Sequence, residues 1–329
     1  MEKFSSFNQV VGNIPESEKE KILQEKGEVF DNQSFESLKG KERDKTPEEM
    51  HIIYLANEAT DAIRKKYGLE SFDIPQKNIH IIAEKKWPKD KRSSAVYVPM
   101  VQGIAVREQP GKMVFMAKVL HEMLHFKSFN SLQITSNENS ELKEYRTGLT
   151  MITRNGQKMY FSNLNEAITE EITKQIVKEL SAHPMFSEEI KKTRDVIMKH
   201  PKATDDSSGQ SLFNEDTFYA ETQNKKSWKE AIGRLFGAMK DSKNIIAFEF
   251  TYKQERKILN TLLEKIFKKN PKKFQNKDTI FETFAKSMMT GNLLPIGRLI
   301  DGTFGKGTMR RIGELDGNIE AQEEFVNTL

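Results

Sequence analysis

The segment His121-Glu122-Met123-Leu124-His125 offers chemistry through both its residue types and their spacing. Histidines four apart on a helix lie one turn apart on the same face, where two neutral imidazoles can reach a single zinc ion. Glu122 lies about 100° round that helix from His121, so it can face the coordination position the histidines leave open. Zinc lowers the pKa of a bound water to about 7, and a neighbouring carboxylate then suffices as general base. A catalytic zinc generally takes three protein ligands, so a further donor is required. The chain has no cysteine, which excludes thiolate ligands and disulfides.

A second segment supplies a donor. Leu164, Ile168, Ile172, Ile176 and Leu180 recur at helical spacing, and within them stands Asn165-Glu166-Ala167-Ile168-Thr169-Glu170. With the His-Glu-x-x-His segment, this resembles the thermolysin-like gluzincins, whose second helix carries a zinc-binding glutamate in an Asn-Glu-Ala-Ile-Ser/Thr-Asp/Glu context. The resemblance covers about residues 46 to 182 and implies a zinc-dependent peptidase with one Zn2+ per chain. It implies Glu166 as third ligand and Glu170 as the carboxylate that accepts the other ring proton of His121, fixing its tautomer. Apart from the resemblance, Glu166 and Glu170 are four apart and share a helix face. Glu166 follows His125 by 41 positions (166 minus 125), longer than is usual in that family, and a predicted hairpin at 145 to 161 must fill the interval.

Peptide hydrolysis also needs a donor for the developing oxyanion, and gluzincins draw a histidine or tyrosine from the second lobe. Tyr252, at the head of a predicted helix, is the first candidate, with Tyr219, His183 and His200 open beside it. Arg146 is a candidate for a substrate carboxylate or a ligand glutamate, against a surface ion pair as the plain alternative. The strand ending near Arg107 closely precedes the metal helix. In zincins an edge strand there pairs with an extended peptide, which would give Gly103 to Val106 that role; an ordinary hairpin closing the sheet is the alternative.

Other elements must place these residues. Thr46-Pro47-Glu48-Glu49 supplies an N-cap, a proline at N1 and a capping-box glutamate, and Gly68 suits a C-cap, which predicts a helix of about 20 residues. Ile79 to Ile82, Ala95 to Pro99 and Ile104 to Arg107 read as a small sheet with a hairpin. Lys112 to Phe126 is the metal helix, with an apolar stripe of Phe115, Val119, Leu120, Met123 and Leu124. Asn155-Gly156 marks a hairpin turn within 145 to 161. Beyond Pro184 the pattern is mainly helical, near 187 to 200, 226 to 240, 252 to 269 and 278 to 289, with a glycine-containing tail.

The fold class is therefore α+β. Residues 1 to 45 read as a mobile or peripheral arm with little core, 46 to 184 as a zincin-like lobe holding sheet, metal helix and glutamate helix, and 185 to 329 as a helical lobe closing the cleft.

The 329 residues, 36% hydrophobic and 30% charged, hold no apolar run of the roughly 20 residues that span a bilayer. No secretory signal is evident at the N-terminus, so cytoplasmic residence is expected. Net charge is +4, from 52 basic and 48 acidic side chains, too balanced to name a nucleic-acid partner. Lys265, Lys268, Lys269, Lys272 and Lys273, beside Phe267 and Phe274, read as a solvated helix end before a nucleic-acid patch. The expected partner is a peptide or protein substrate. The alternatives are a zincin-like scaffold that binds a peptide or protein without cleaving it, marked by a closed metal site or a missing oxyanion donor, and a nucleic-acid-associated protein using the lysines.

Overall fold

The computed structural model describes residues 6–33, 35, 38, 40–88, 91, 93–135, 141–205, 208–222, 238–240 and 245–329. The architecture is mixed α+β. In chain order the first elements are β1 (Gln9–Val11), α1 (Glu16–Asp31), β2 (Glu42–Arg43), α2 (Pro47–Lys66), β3 (Ile79–Ile82), β4 (Ala95–Val98), β5 (Gly103–Arg107) and α3 (Lys112–Lys127). The reciprocal capping box forms at Thr46 and Glu49, and Gly68 stands past the end of α2 at φ +75°. Strand order in the first sheet is β2-β3-β5-β4, with β5 parallel to β3 and antiparallel to β4. Every residue of β3 and β5 is buried, as central strands covered on both faces require. This corrects the expectation for Gly103 to Val106: β5 is paired on both sides, so β4 is the edge strand beside the metal helix.

The interval between α3 and the glutamate helix α4 (Ser162–Leu180) holds four strands: β6 (Asn130–Thr135), β7 (Glu141–Thr147), β8 (Thr150–Ile152) and β9 (Met159–Tyr160). They continue a sheet of order β1-β6-β7-β8-β9. Asn155-Gly156 lies, as expected, between paired strands β8 and β9, but in a loop of residues 153–158. The tight turn is at Gly148-Leu149, where Thr147 pairs with Thr150. Gly148 has φ +57°, and a Cβ there would lie 2.2 Å from Asn165 Oδ1 and 2.9 Å from Met288 Cγ. Gly148→Ala is therefore expected to cost at least about 1–2 kcal/mol, read as a lowered Tm. An unchanged Tm would show that the turn and Asn165 relax freely.

The remaining elements are α5 (Ser187–Lys199), β10 (Thr217–Thr222), β11 (Ala238–Lys240), β12 (Ile245–Glu249), α6 (Lys253–Lys269), α7 (Lys277–Thr290), α8 (Leu294–Phe304), α9 (Thr308–Glu314) and α10 (Ile319–Thr328). The helix expected at 226 to 240 falls mostly outside the described residues, and its last three positions, 238–240, form strand β11. The glycine-containing tail is helical: Gly291, Gly305 and Gly307 have positive φ and stand at helix ends.

The N-terminal arm carries more core than expected. β1 pairs parallel with β6, Phe7 and Val10 are buried beside Leu132 and Ile134, and Phe30 stacks on Phe126 at 5.9 Å. A single hydrophobic cluster runs from Phe30 through the metal and glutamate helices to Val326, so apolar packing is continuous across residue 184. Among the described residues, no helix is long and apolar enough to cross a membrane.

Candidate metal centre

Apolar residues on both helices fix how the site is assembled. Leu120, Met123 and Leu124 of α3 and Leu164, Ala167 and Ile168 of α4 are fully or almost fully buried in the common core. With those faces packed together, the polar residues between them meet at the helix crossing. His121 Nε2 lies 3.1 Å from His125 Nε2 and 3.1 Å from Glu166 Oε2, and His125 Nε2 lies 3.4 Å from Glu166 Oε2. Zinc bonds of about 2.0–2.1 Å in a tetrahedron place neighbouring donors about 3.3–3.4 Å apart. The triangle of donor atoms thus has the dimensions of one face of a zinc tetrahedron. The chemistry of the set, two imidazoles and a carboxylate, suits zinc as well.

The other ring nitrogen of His121, Nδ1, lies 2.7 Å from Glu170 Oε2. With Nδ1–H donating there, Nε2 offers its lone pair to a metal. The second oxygen of Glu170 accepts from both the backbone N–H and the hydroxyl of Thr251. Asn165 Oδ1 accepts from Leu149 N–H at 2.8 Å, and its Nδ2 lies 3.4 Å from His125 Nδ1.

Burial and charge oppose one another in this cluster. Burial disfavours a charged His121, but the carboxylates of Glu166 and Glu170 outweigh it and raise the ring to about 10. Burial would also raise Glu170, yet the hydrogen bond and charge of His121 hold it at about 2. Burial acts likewise on Glu166, and His125 and His121 pull its carboxyl far below the usual carboxylate range. The metal-free cluster is therefore an imidazolium held by carboxylates, and a divalent cation must displace that proton. With the His121 ring raised to about 10, affinity for any divalent cation that takes this site is expected to rise about tenfold per pH unit between neutrality and that value. Competition titration against a chelator at several pH values measures this. A flat profile would contradict a linked proton.

Glu122 projects beside the triangle, and its Oε2 accepts the Tyr97 backbone N–H of β4 at 2.7 Å. Tyr252, preceding α6, takes the left-handed conformation (φ 55°) and stacks its ring on His121, with centroids 5.4 Å apart and planes 11° apart. Its hydroxyl bonds Glu166. Burial first, then the charges of Glu166 and Glu122, push the phenol far above its ordinary pKa, so it remains a donor. His121, Glu122, His125, Glu166 and Tyr252 all line one cleft of about 330 Å³, to which Ala95, Val96 and Tyr97 of β4 also contribute.

The competing candidates go elsewhere. Tyr219 packs over Gly111 with its hydroxyl on Glu221, His183 accepts Met185 N–H ahead of a short 3-10 turn, and His200 ends α5. Arg146 is neither a substrate anchor in the cleft nor a surface ion pair. It is buried, donates to the carbonyls of Gly148 and Gly291, and lies over Phe129, so it braces the 148 turn against the end of α7. Burial lowers its pKa to about 10. The lysine cluster is partly tied to the chain's own end, through Lys265 to the Asn327 carbonyl and Lys269 to that of Leu329, while Lys268 pairs with Glu264. Phe267 and Phe274 pack on the core.

Comparison of the chain with protein families, curated proteins and solved structures gives no match. The geometry adds residues that sequence reasoning passed over. Asn165 directly precedes Glu166 and Thr251 directly precedes Tyr252, so adjacency is the signal the sequence offers for them. Glu144, on the cleft wall, has none.

Proposed function

We propose that this chain is a zinc peptidase of the gluzincin type. The observation that supports it most is the convergence of the His121, His125 and Glu166 donor atoms, all within 4.8 Å of one another, at a cleft also lined by a carboxylate and a phenol. A bound zinc would supply Lewis-acid polarisation of the scissile carbonyl and a water acidified to a pKa of about 7.

The chain's own residues do the rest. Glu122 takes the proton of the attacking water and delivers it to the departing amine. Tyr252 donates its hydroxyl hydrogen to the oxygen on which negative charge develops; a metal held by Glu166 would leave that hydroxyl free to do so. Glu170 and Thr251 hold His121 in the required tautomer. An extended substrate lies along the free edge of β4, with main-chain hydrogen bonds to the strand. A donor beside an open cleft favours turnover over the non-cleaving scaffold.

The test is metal analysis of the purified chain with hydrolysis of an internally quenched peptide. One zinc per chain and chelator-sensitive cleavage are expected, and a chain that takes up no zinc would end the reading. Tyr252→Phe is expected to lower kcat by about 10²–10³ with zinc content intact. An unchanged kcat would remove the oxyanion role.

A further inference from the structure

The cleft wall formed by β7, β8 and β9 carries a carboxyl group that the reaction does not use. Glu144 is half-buried there, and its Oε1 lies 2.7 Å from Thr147 Oγ1. That hydroxyl has only one proton and a second claimant. Asn130 Nδ2 donates to the carbonyls of His125, Phe126 and Ser128, which fixes its Oδ1 as an acceptor, 2.8 Å from Thr147 Oγ1. If Thr147 donates to Asn130, an ionised Glu144 receives no hydrogen from it. If it donates to Glu144, a buried amide oxygen is left bare. The ionised carboxylate is thus poorly served by the protein: among the described residues its side-chain partner is Thr147, and the cationic influence on it is that of His125, not of a lysine or arginine.

A second observation concerns charge. Among the described residues lining the cleft are Glu122, Glu144 and Glu166, but no lysine or arginine, although the chain as a whole has a net charge of +4. The same cleft is lined by the apolar side chains of Ile152 and Met159, the latter 54% exposed. An aliphatic stem can lie along such a wall while its charged end reaches the carboxylate.

We propose that Glu144 sets substrate preference by receiving a substrate cation, an ammonium or guanidinium group. This rests on the peptidase reading above and adds the substrate class to it. A cation supplies the hydrogen-bond donors Glu144 lacks and leaves the Thr147 proton to Asn130. Burial raises the Glu144 carboxyl, with Thr147 and His125 opposing it, and an arriving cation favours the ionised form. A neutral or acidic group at the same place leaves the carboxyl unsatisfied or repelled.

The test uses the zinc-loaded full chain and quenched peptides bearing lysine, ε-acetyl-lysine, norleucine or glutamate at each position flanking the scissile bond. Each peptide is made with a free and an acetylated N-terminus. The expected kcat/KM is about tenfold or more higher for lysine than for norleucine. The ratio should fall toward one in Glu144→Gln and turn in favour of glutamate in Glu144→Lys. A fall in kcat/KM on ε-acetylation assigns the cation to the side chain, and a fall on N-terminal acetylation assigns it to the α-amine; either, abolished in Glu144→Gln, supports the proposal. Equal rates for lysine and norleucine in the wild type together with no effect of N-terminal acetylation, or a charge preference unaltered in Glu144→Gln, overturn it. The wild-type ratio stands even if a variant folds poorly. Cleavage without charge preference defeats only this inference, whereas a zinc-loaded chain that cleaves none of the peptides defeats the peptidase reading and this inference with it.

Discussion

Glu122→Gln is expected to lower kcat by about 10³-fold, within the range for loss of a positioned general base, while the chain still takes up one zinc. Glutamine keeps the length and a carbonyl oxygen, so the contact with Tyr97 N–H on β4 survives. It cannot accept the water's proton, and the imidazoles and Glu166 proposed to hold the metal are untouched. The paired measurement is kcat on a quenched peptide and zinc content on the same sample. A variant that retains full activity would remove Glu122 from the mechanism. One that loses its zinc would recast it as a structural prop for the site.

Glu166→Ala carries the second large effect, the loss of bound zinc. It removes one corner of the donor triangle, leaving imidazoles whose nitrogens are 3.1 Å apart but no third protein ligand. Glu170→Ala leaves the triangle complete and disturbs only the orientation and tautomer of His121, so a weakening of about 10–100-fold in zinc affinity is expected. Thermal denaturation distinguishes the two. A metal that binds only the folded chain raises Tm, and chelator lowers it again. The wild type and Glu170→Ala should therefore lose stability in chelator, while Glu166→Ala should be indifferent to it. Zinc retained undiminished in Glu166→Ala would send the third-ligand role to another residue.

The sequence carries the two site helices plainly, because apolar residues at helical spacing and the polar pairs His121/His125 and Glu166/Glu170 obey the same geometry. A helix face is a local property, visible in a window of a dozen residues. The identity of the edge strand is not local. β4 and β5 read alike, and the difference lies in the parallel pairing of β5 with β3, with Ile79 opposite Ile104. The arm is underestimated for a similar reason: Phe7 and Val10 are sparse in sequence and gain their cover from β6, over a hundred positions away. In the tail, Gly291, Gly305 and Gly307 punctuate helices at positive φ rather than dissolve them. The stretch between β12 and α6 carries the donors for Glu170, which no motif announces. Arg146 misleads because a cation near a presumed site suggests an anion, whereas its planar fork instead collects main-chain carbonyls.

Thr251 and Tyr252 are neighbours, one gripping the carboxylate behind His121 and the other lying flat against the same ring. The start of α6 thus works as a clasp closed on a single imidazole. Any swing that carries α6 away would withdraw the phenol and loosen the histidine at once, so on the proposed peptidase reading a substrate is expected to enter along β4 while the clasp stays shut.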